Sequence, residues 1–303
     1  ASEPRSPLRS TDSIPTIATA ALTRGYPLRS AHNYRFILRR NRSILRILSA
    51  HSGNVKLDNV LFHEGNIGWL TRFFIRMASW PLRLRFVNLS AFFNQFEHEA
   101  NPDASKMCPQ TELSSRFSLG YRAMCALWVN EFLAYLGEYD VVFRLDEDCV
   151  LEGLNFDTVL RPMLRGEIDY VAGMAFGNDA PDVTCGFVDF VTNWHQDHPS
   201  TNKPVFDNNP YTNLFIFRPE SLKGEPRAIQ FLQDVRATGC ILNNRWGDHV
   251  VWGALLSMMS ETIKSDLNAE IRYFHGSHRM RVLGRQSGPL GPDSKVAEAK
   301  RKR

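Results

Sequence analysis

The hydrophobic pattern begins with a short apolar run over 14–22, Ile-Pro-Thr-Ile-Ala-Thr-Ala-Ala-Leu, whose length and residue types predict a strand. Helical spacing follows over 31–50, where Tyr34, Ile37, Leu38, Ile44, Leu45 and Leu48 recur on one face and Ser30 is placed to cap. A second strand is predicted over 59–62, a helix over 68–78 and a third strand over 84–89. Residues 94–113 read as loop, 119–136 as one long helix and 140–145 as a fourth strand. This alternation predicts an α/β fold: a Rossmann-type, mostly parallel sheet with helices on both faces. The second half is less regular. It reads as a strand over 170–176, a long polar loop with prolines over 177–210, a strand over 212–217, helices over 219–237 and 248–260, and a last strand over 271–275.

Composition narrows the picture. At 303 residues, 43% hydrophobic and 22% charged, the chain can bury a core without disulfide staples, which excludes disorder for its body. A net charge of +4 favours anionic ligands without demanding nucleic acid, and the predominance of Arg over Lys suits bidentate phosphate contacts. No apolar run reaches the roughly 18 residues a spanning helix needs, and no signal peptide opens the sequence. Membrane attachment is expected only through an anchor absent from this chain. Residues 1–13 read as a disordered tail or stem, and 284–303, ending Lys-Arg-Lys-Arg, as a disordered basic tail. The five cysteines include no CxxC pair, which argues against structural zinc; two disulfides plus one thiol, or five thiols, both fit the count. Two sequons, Asn41-Arg42-Ser43 and Asn88-Leu89-Ser90, matter only in the secretory pathway. Neither GxGxxG nor a Walker A motif occurs.

The sharpest chemical signal is Tyr139-Asp-Val-Val-Phe-Arg-Leu-Asp-Glu-Asp148, a buried strand running into three adjacent carboxylates. Such a cluster is costly to bury unless compensated, and a hard divalent cation at the C-terminal end of the strand would compensate it. Ligands of open α/β sheets bind at that end. A metal held by Asp146 and Asp148 would bridge the protein to a diphosphate, which suits a nucleotide-sugar transferase. A solvated acidic turn is the plain alternative.

Four stretches then resemble the fungal α-1,2-mannosyltransferases of the Golgi: Phe117-Ser-Leu-Gly-Tyr-Arg-Ala-Met-Cys125, Tyr139–Asp148, Arg245-Trp-Gly-Asp-His249 and Tyr273-Phe-His275. The resemblance implies a single GT-A-like catalytic domain over 14–283, with a nucleotide-binding half (14–150) and an acceptor half (151–283). It implies Mn²⁺ (or Mg²⁺), a GDP-mannose donor, a glycan or glycoprotein acceptor, retention of anomeric configuration and residence in the Golgi lumen. It makes His275 the third metal ligand beside Asp146 and Asp148, and assigns Arg24, Tyr121, Arg144 and Asp146 to the donor. Mixed carboxylate and imidazole ligands suit Mn²⁺. Asp248 and Asn213 are the catalytic candidates: Asp248 as a base, a sugar-positioning carboxylate or a plain helix N-cap, Asn213 from its place in Thr212-Asn-Leu-Phe-Ile216. One departure stands out, because the family carries a carboxylate where this chain has Phe215.

His278 is an alternative ligand. Trp194, His195, Asp207, Asn208, Asn209 and Tyr211 are of types that recognise sugars, though an ordinary loop accounts for most of them. Three other readings remain open: an inverting transferase using a UDP-sugar, a nucleotidyl- or phosphotransferase, and a non-catalytic carbohydrate-binding protein.

Overall fold

A computed structural model describes residues 14–48, 55–98, 101, 103–200 and 202–284, the side chains of Leu28, Arg29 and Asn130 excepted. The tail expected at 1–13, and that expected at 284–303 apart from Gly284, lie outside the described residues. The strands in chain order are β1 (Thr16–Leu22), β2 (Lys56–His63), β3 (Arg83–Asn88), β4 (Val141–Leu145), β5 (Cys149–Leu154), β6 (Tyr170–Ala172), β7 (Ala175–Phe176), β8 (Asn209–Pro210), β9 (Leu214–Phe217), β10 (Ser265–Asp266), β11 (Ile271–His275) and β12 (Met280–Leu283).

Seven of them form one sheet in the order β10-β6-β9-β4-β1-β2-β3. The pairings β1–β2, β2–β3, β1–β4 and β6–β10 are parallel, as the strand–helix alternation requires; β9 alone runs antiparallel, to both β4 and β6. Alternation along each strand sorts side chains to two faces. Ala18, Ala20, Val60, Phe62, Val142, Phe215 and Phe217 pack on one side beneath the helices Leu119–Ala126, Pro226–Ala237 and Asp248–Met258. Ile17, Val141, Phe143, Leu214 and Ile216 face the other side, which the helix Arg35–Leu48 helps to cover. A second sheet, β12-β11-β5, is antiparallel and carries the strand that follows the acidic turn.

The long polar loop over 177–210 is corrected: it holds an eleven-residue helix, Phe187–Asp197, entered through Gly186 at φ 76°, with Phe187, Val191 and Trp194 buried. The helix over 31–50 starts as a tight 3₁₀ turn and becomes α-helical over Arg35–Leu48. That over 219–237 is broken in two, because Pro226 has no amide to continue the first segment. The 119–136 helix carries a π-turn at Leu127–Glu131. The 94–113 loop contains the end of the helix Ser90–Phe96 and two short turns of helix, Ala104–Met107 and Glu112–Ser115.

Both cysteine expectations are replaced by a third arrangement. Cys108 and Cys240 form a disulfide with Cα atoms 5.8 Å apart, and Cys125, Cys149 and Cys185 are free. The sequons differ sharply. Asn41 is fully buried, donating to the Ser79 hydroxyl at 2.9 Å and accepting from the Asn59 amide at 2.9 Å, so an oligosaccharide there is incompatible with the fold. Asn88 is exposed at the end of β3.

Candidate functional site

The acidic turn joins β4 to β5, at the C-terminal end of β4, and its three carboxylates point to different partners. Glu147 turns towards the end of β1, accepting from the Thr23 hydroxyl (2.8 Å), the Tyr26 hydroxyl (2.8 Å) and the Arg24 amide (3.1 Å). The Arg24 side chain is 81% exposed, its Nε 4.0 Å from Glu147. Asp146 accepts from Arg144 Nε at 3.3 Å and from the Asn213 amide at 3.1 Å, while its backbone N–H donates to the Asn213 carbonyl at 3.0 Å. Asp148 accepts from the Ser277 amide (2.7 Å) and hydroxyl (2.6 Å) and lies 3.5 Å from His275 Nε2. The mutual repulsion read from the sequence is thus already relieved in part by protein donors. Burial alone would raise the Asp148 carboxyl, yet the bonds from His275 and Ser277 hold it below the usual carboxylate range. At Asp146 burial wins, and the carboxyl is raised despite Arg144, His275 and Asn213.

His275 reaches this turn because β11 pairs antiparallel with β5, with His275 opposite Cys149. Its Nδ1 lies 3.2 Å from the Tyr211 hydroxyl, which also meets His278 Nδ1 at 2.6 Å. That contact leaves Nε2 facing Asp148, the Ser277 hydroxyl at 3.2 Å and the Asn213 amide at 3.4 Å. A hydrogen bond on the far nitrogen is how proteins orient a metal-ligating imidazole. One trio among the described residues, Asp148, Cys149 and His275, brings ligand atoms within 4.8 Å of one another. Burial pushes the Cys149 thiol well up, so it stays protonated. A carboxylate and an imidazole side by side are a donor pair that fits Mn²⁺ or Mg²⁺. Asp146 stands next to this pair, sharing the Asn213 amide with His275.

Arg144 connects the turn to the second candidate. It is 2% exposed, with its guanidinium over the Trp128 ring (4.7 Å) and the Phe215 ring (5.6 Å). One edge meets Asp146; the other pairs with Asp248, the first residue of the helix Asp248–Met258. Burial would raise the Asp248 carboxyl, but Arg144, His249 and hydrogen bonding bring it below its ordinary value. Gly247 occupies the N-cap position, so Asp248 is not the cap of this helix. The neighbouring His249 is largely, though not fully, buried and its pKa falls to about 4, burial being the main cause.

Tyr121 accepts from Arg245 at 2.9 Å, and burial raises its hydroxyl to about 12. Arg245 sits in the left-handed backbone region at φ 86°, a conformation that costs a non-glycine residue about 1–3 kcal/mol. It is held there by an ion pair to Asp179 and by stacking 4.3 Å over Phe117. The four sequence stretches singled out above therefore converge: Tyr121 touches Arg245, Arg144 touches Asp248, and Asp148 touches His275.

Phe215 stands opposite Arg144 in the β4–β9 register and is fully buried, stacked on Tyr170 at 5.2 Å. No carboxylate is supplied from that position. Trp194 lies elsewhere, bonded to Asp234 and stacked on His198, which is an ordinary structural role. Ser277, Tyr26, Thr23 and Asp179 were not legible as site residues. Ser277 is a small polar residue in a turn, and the other three reach the site through contacts with residues 66 to 124 positions away.

No family model matches the chain, and no curated protein matches it by sequence. Solved structures do. The mannosyltransferase Ktr4p from S. cerevisiae superposes with a TM-score of 0.68 at 16% identity, over 91% of this chain and 75% of that one. The Mn/GDP form of core-mannan synthase A (CmsA/Ktr4) from Aspergillus fumigatus gives 0.67 at 13% identity, over 91% and 81%. Mouse xyloside xylosyltransferase 1 gives 0.51 at 11% identity, over 83% and 84%. The chain has the GT-A fold of these glycosyltransferases. Within a GT-A fold, the turn Asp146–Asp148 occupies the carboxyl end of the central strand β4, flanked by β1 and β9.

Proposed function

We propose that the chain is a metal-dependent glycosyltransferase that moves mannose from GDP-mannose to a glycan or glycoprotein acceptor with retention of anomeric configuration. One observation carries the reading: Asp148, His275, Asn213 and the Arg144–Asp248 pair meet at the C-terminal end of β4. The likeness to Ktr4p, solved also in complex with GDP, and to the Mn/GDP form of core-mannan synthase A supports the nucleotide and metal.

Asp148 and His275, with Asp146 beside them, would hold Mn²⁺ (or Mg²⁺). The bound ion would supply Lewis-acid neutralisation of a leaving diphosphate. Asn213 holds the Asp146 carboxylate and the His275 ring in one orientation through a single amide. Tyr211 holds the His275 ring from the opposite side, through Nδ1. Arg24, exposed at the end of β1, is placed to meet the anionic donor from solvent.

Asp248 favours retention. A carboxylate with a depressed pKa, ion-paired to a buried Arg, is a weak base, whereas an effective general base has a pKa near the working pH. Asp248 then positions Arg144 and a sugar hydroxyl without deprotonating the acceptor. The Cys108–Cys240 disulfide and the exposed sequon at Asn88 favour an oxidising compartment, in keeping with the Golgi lumen. The test is a donor-hydrolysis survey across sugar nucleotides with Mn²⁺, followed by NMR of the transfer product. GDP-mannose turnover and a retained anomeric centre support the reading; turnover of a UDP-sugar alone, or an inverted product, overturns it.

A further inference from the structure

The helix Trp69–Ala78 is oriented against expectation. Ile75 is its one fully buried side chain, packed with Ile37, Leu61 and Ala21. On the outward side Trp69 is 73% exposed, Phe74 60% and Met77 61%, joined by Leu70, Phe73 and, just past the helix, Trp80. At 3.6 residues per turn, positions 69, 73 and 77 lie on one line, with 70 and 74 beside them, so the broad apolar face points away from the core. Monomeric proteins rarely expose a contiguous aromatic face of this kind without a use for it.

The charge around it is one-sided. Residues 24–96 hold twelve Lys/Arg and only two Asp/Glu, a net +10 in a chain of +4, and no acidic residue occurs between 65 and 96. Arg76 is exposed on the same helix, stacked over Phe86, and Arg72 flanks the apolar face. The helix Arg35–Leu48 joins the same cluster through Ile37 and Leu38, and it exposes Arg35, Arg39 and Arg42. Arg83 and Arg85 on the edge strand β3 are engaged by Asp58 and Glu138.

This charge selects the occupant. A second copy of the chain would set Arg72 and Arg76 against themselves across a two-fold contact, and like charges facing one another are penalised. The segment 285–303 is itself cationic, with six Lys/Arg and two Asp/Glu, and residues 1–13 offer one large apolar side chain, Leu8. A protruding helix with Trp, Phe and Leu outward and Arg at its margins has the composition of an interfacial helix, which sinks its apolar face into the headgroup boundary. We propose that the Trp69–Ala78 face docks on a bilayer bearing anionic headgroups, independently of the activity proposed above.

The experiment is co-sedimentation of the full chain with phosphatidylcholine vesicles, with and without phosphatidylserine. The wild type is expected to bind the anionic vesicles and to lose binding as salt rises. Trp69→Ser, Phe73→Ser and Met77→Ser should each weaken partition about tenfold. Arg72→Glu with Arg76→Glu should remove the preference for phosphatidylserine. All should keep the wild-type thermal midpoint, since the substituted side chains are largely outside the core. Failure of the wild type to bind anionic vesicles overturns the proposal, as does equal binding by the serine variants. Sedimentation equilibrium showing a dimer that Phe73→Ser dissociates would assign the face to a second copy instead and equally overturn it.

Discussion

Arg144 is the residue on which the site turns. Fully buried, it serves Asp146 on one edge and Asp248 on the other, while Trp128 and Phe215 pack its faces. Removing one partner of such a pair leaves an uncompensated buried charge, which typically costs about 3–5 kcal/mol. The adjacent His249 gives a pH dependence. Its folded pKa, about 4, lies below the ordinary imidazole value near 6.5, so the unfolded chain takes up a proton that the folded chain refuses. Stability is therefore unaffected above about pH 7 and falls as pH drops from about 6.5 towards 4, by roughly 1 kcal/mol per pH unit. Urea melts across this range should show that slope, and His249→Gln should flatten it. An unchanged slope in the variant would place the titration elsewhere. Little of this was readable in the sequence. His249 sits in Arg-Trp-Gly-Asp-His, where nothing marks the residue as largely buried and neutral, and the pairing of Arg144 with Asp248 spans 104 positions.

At the scale of elements, the strands β1 to β4 and the three longest helices between them were legible because apolar positions recur along them, whereas the helix Ser90–Phe96 and the short turns at Ala104–Met107 and Glu112–Ser115 carry too little pattern to be read. The strand β5, Cys149-Val-Leu-Glu-Gly-Leu154, escaped notice because it follows the acidic triplet directly. Yet it is β5 that brings His275 to Asp148, through its antiparallel pairing with β11. The resemblance alone suggested that contact; no local pattern encodes it. The helix Phe187–Asp197 was hidden by the polar, proline-containing stretch around it, although Phe187, Val191 and Trp194 have helical spacing. Close packing of elements also positions Asp248. Gly253, in the same helix, lies against β8, and a Cβ added there would fall on the Asn209 side chain. Gly253→Ala should therefore push the helix off β8 and destabilise the fold by about 1–3 kcal/mol. Transfer should fall more than donor binding does, because the carboxylate moves with its helix. Thermal melts and paired binding and turnover assays check this; a variant with wild-type stability would contradict the packing argument.

Across the whole molecule, the Cys108–Cys240 bridge closes a loop with a sequence separation of 132 and ties the segment after the helix Ser90–Phe96 to the start of the turn Cys240–Asn243. A loop of that size constrains the unfolded chain strongly, so Cys108→Ser is expected to lose about 2–5 kcal/mol in denaturant unfolding. The bridge also stands close behind Arg245, which follows Cys240 by one turn and reaches Tyr121. The proposed function rests on Asp148 and His275, brought together by the β5–β11 pairing, as the seat of a divalent cation that would receive a nucleoside diphosphate. Calorimetric titration of GDP into the chain, with and without Mn²⁺, tests it most directly, using wild type and Asp148→Asn in parallel. The expected result is GDP binding that needs Mn²⁺ in the wild type and is lost in Asp148→Asn, whose melting temperature without metal stays within a few degrees of the wild type. Equal GDP affinity with and without Mn²⁺, or undiminished binding in the variant, would contradict it.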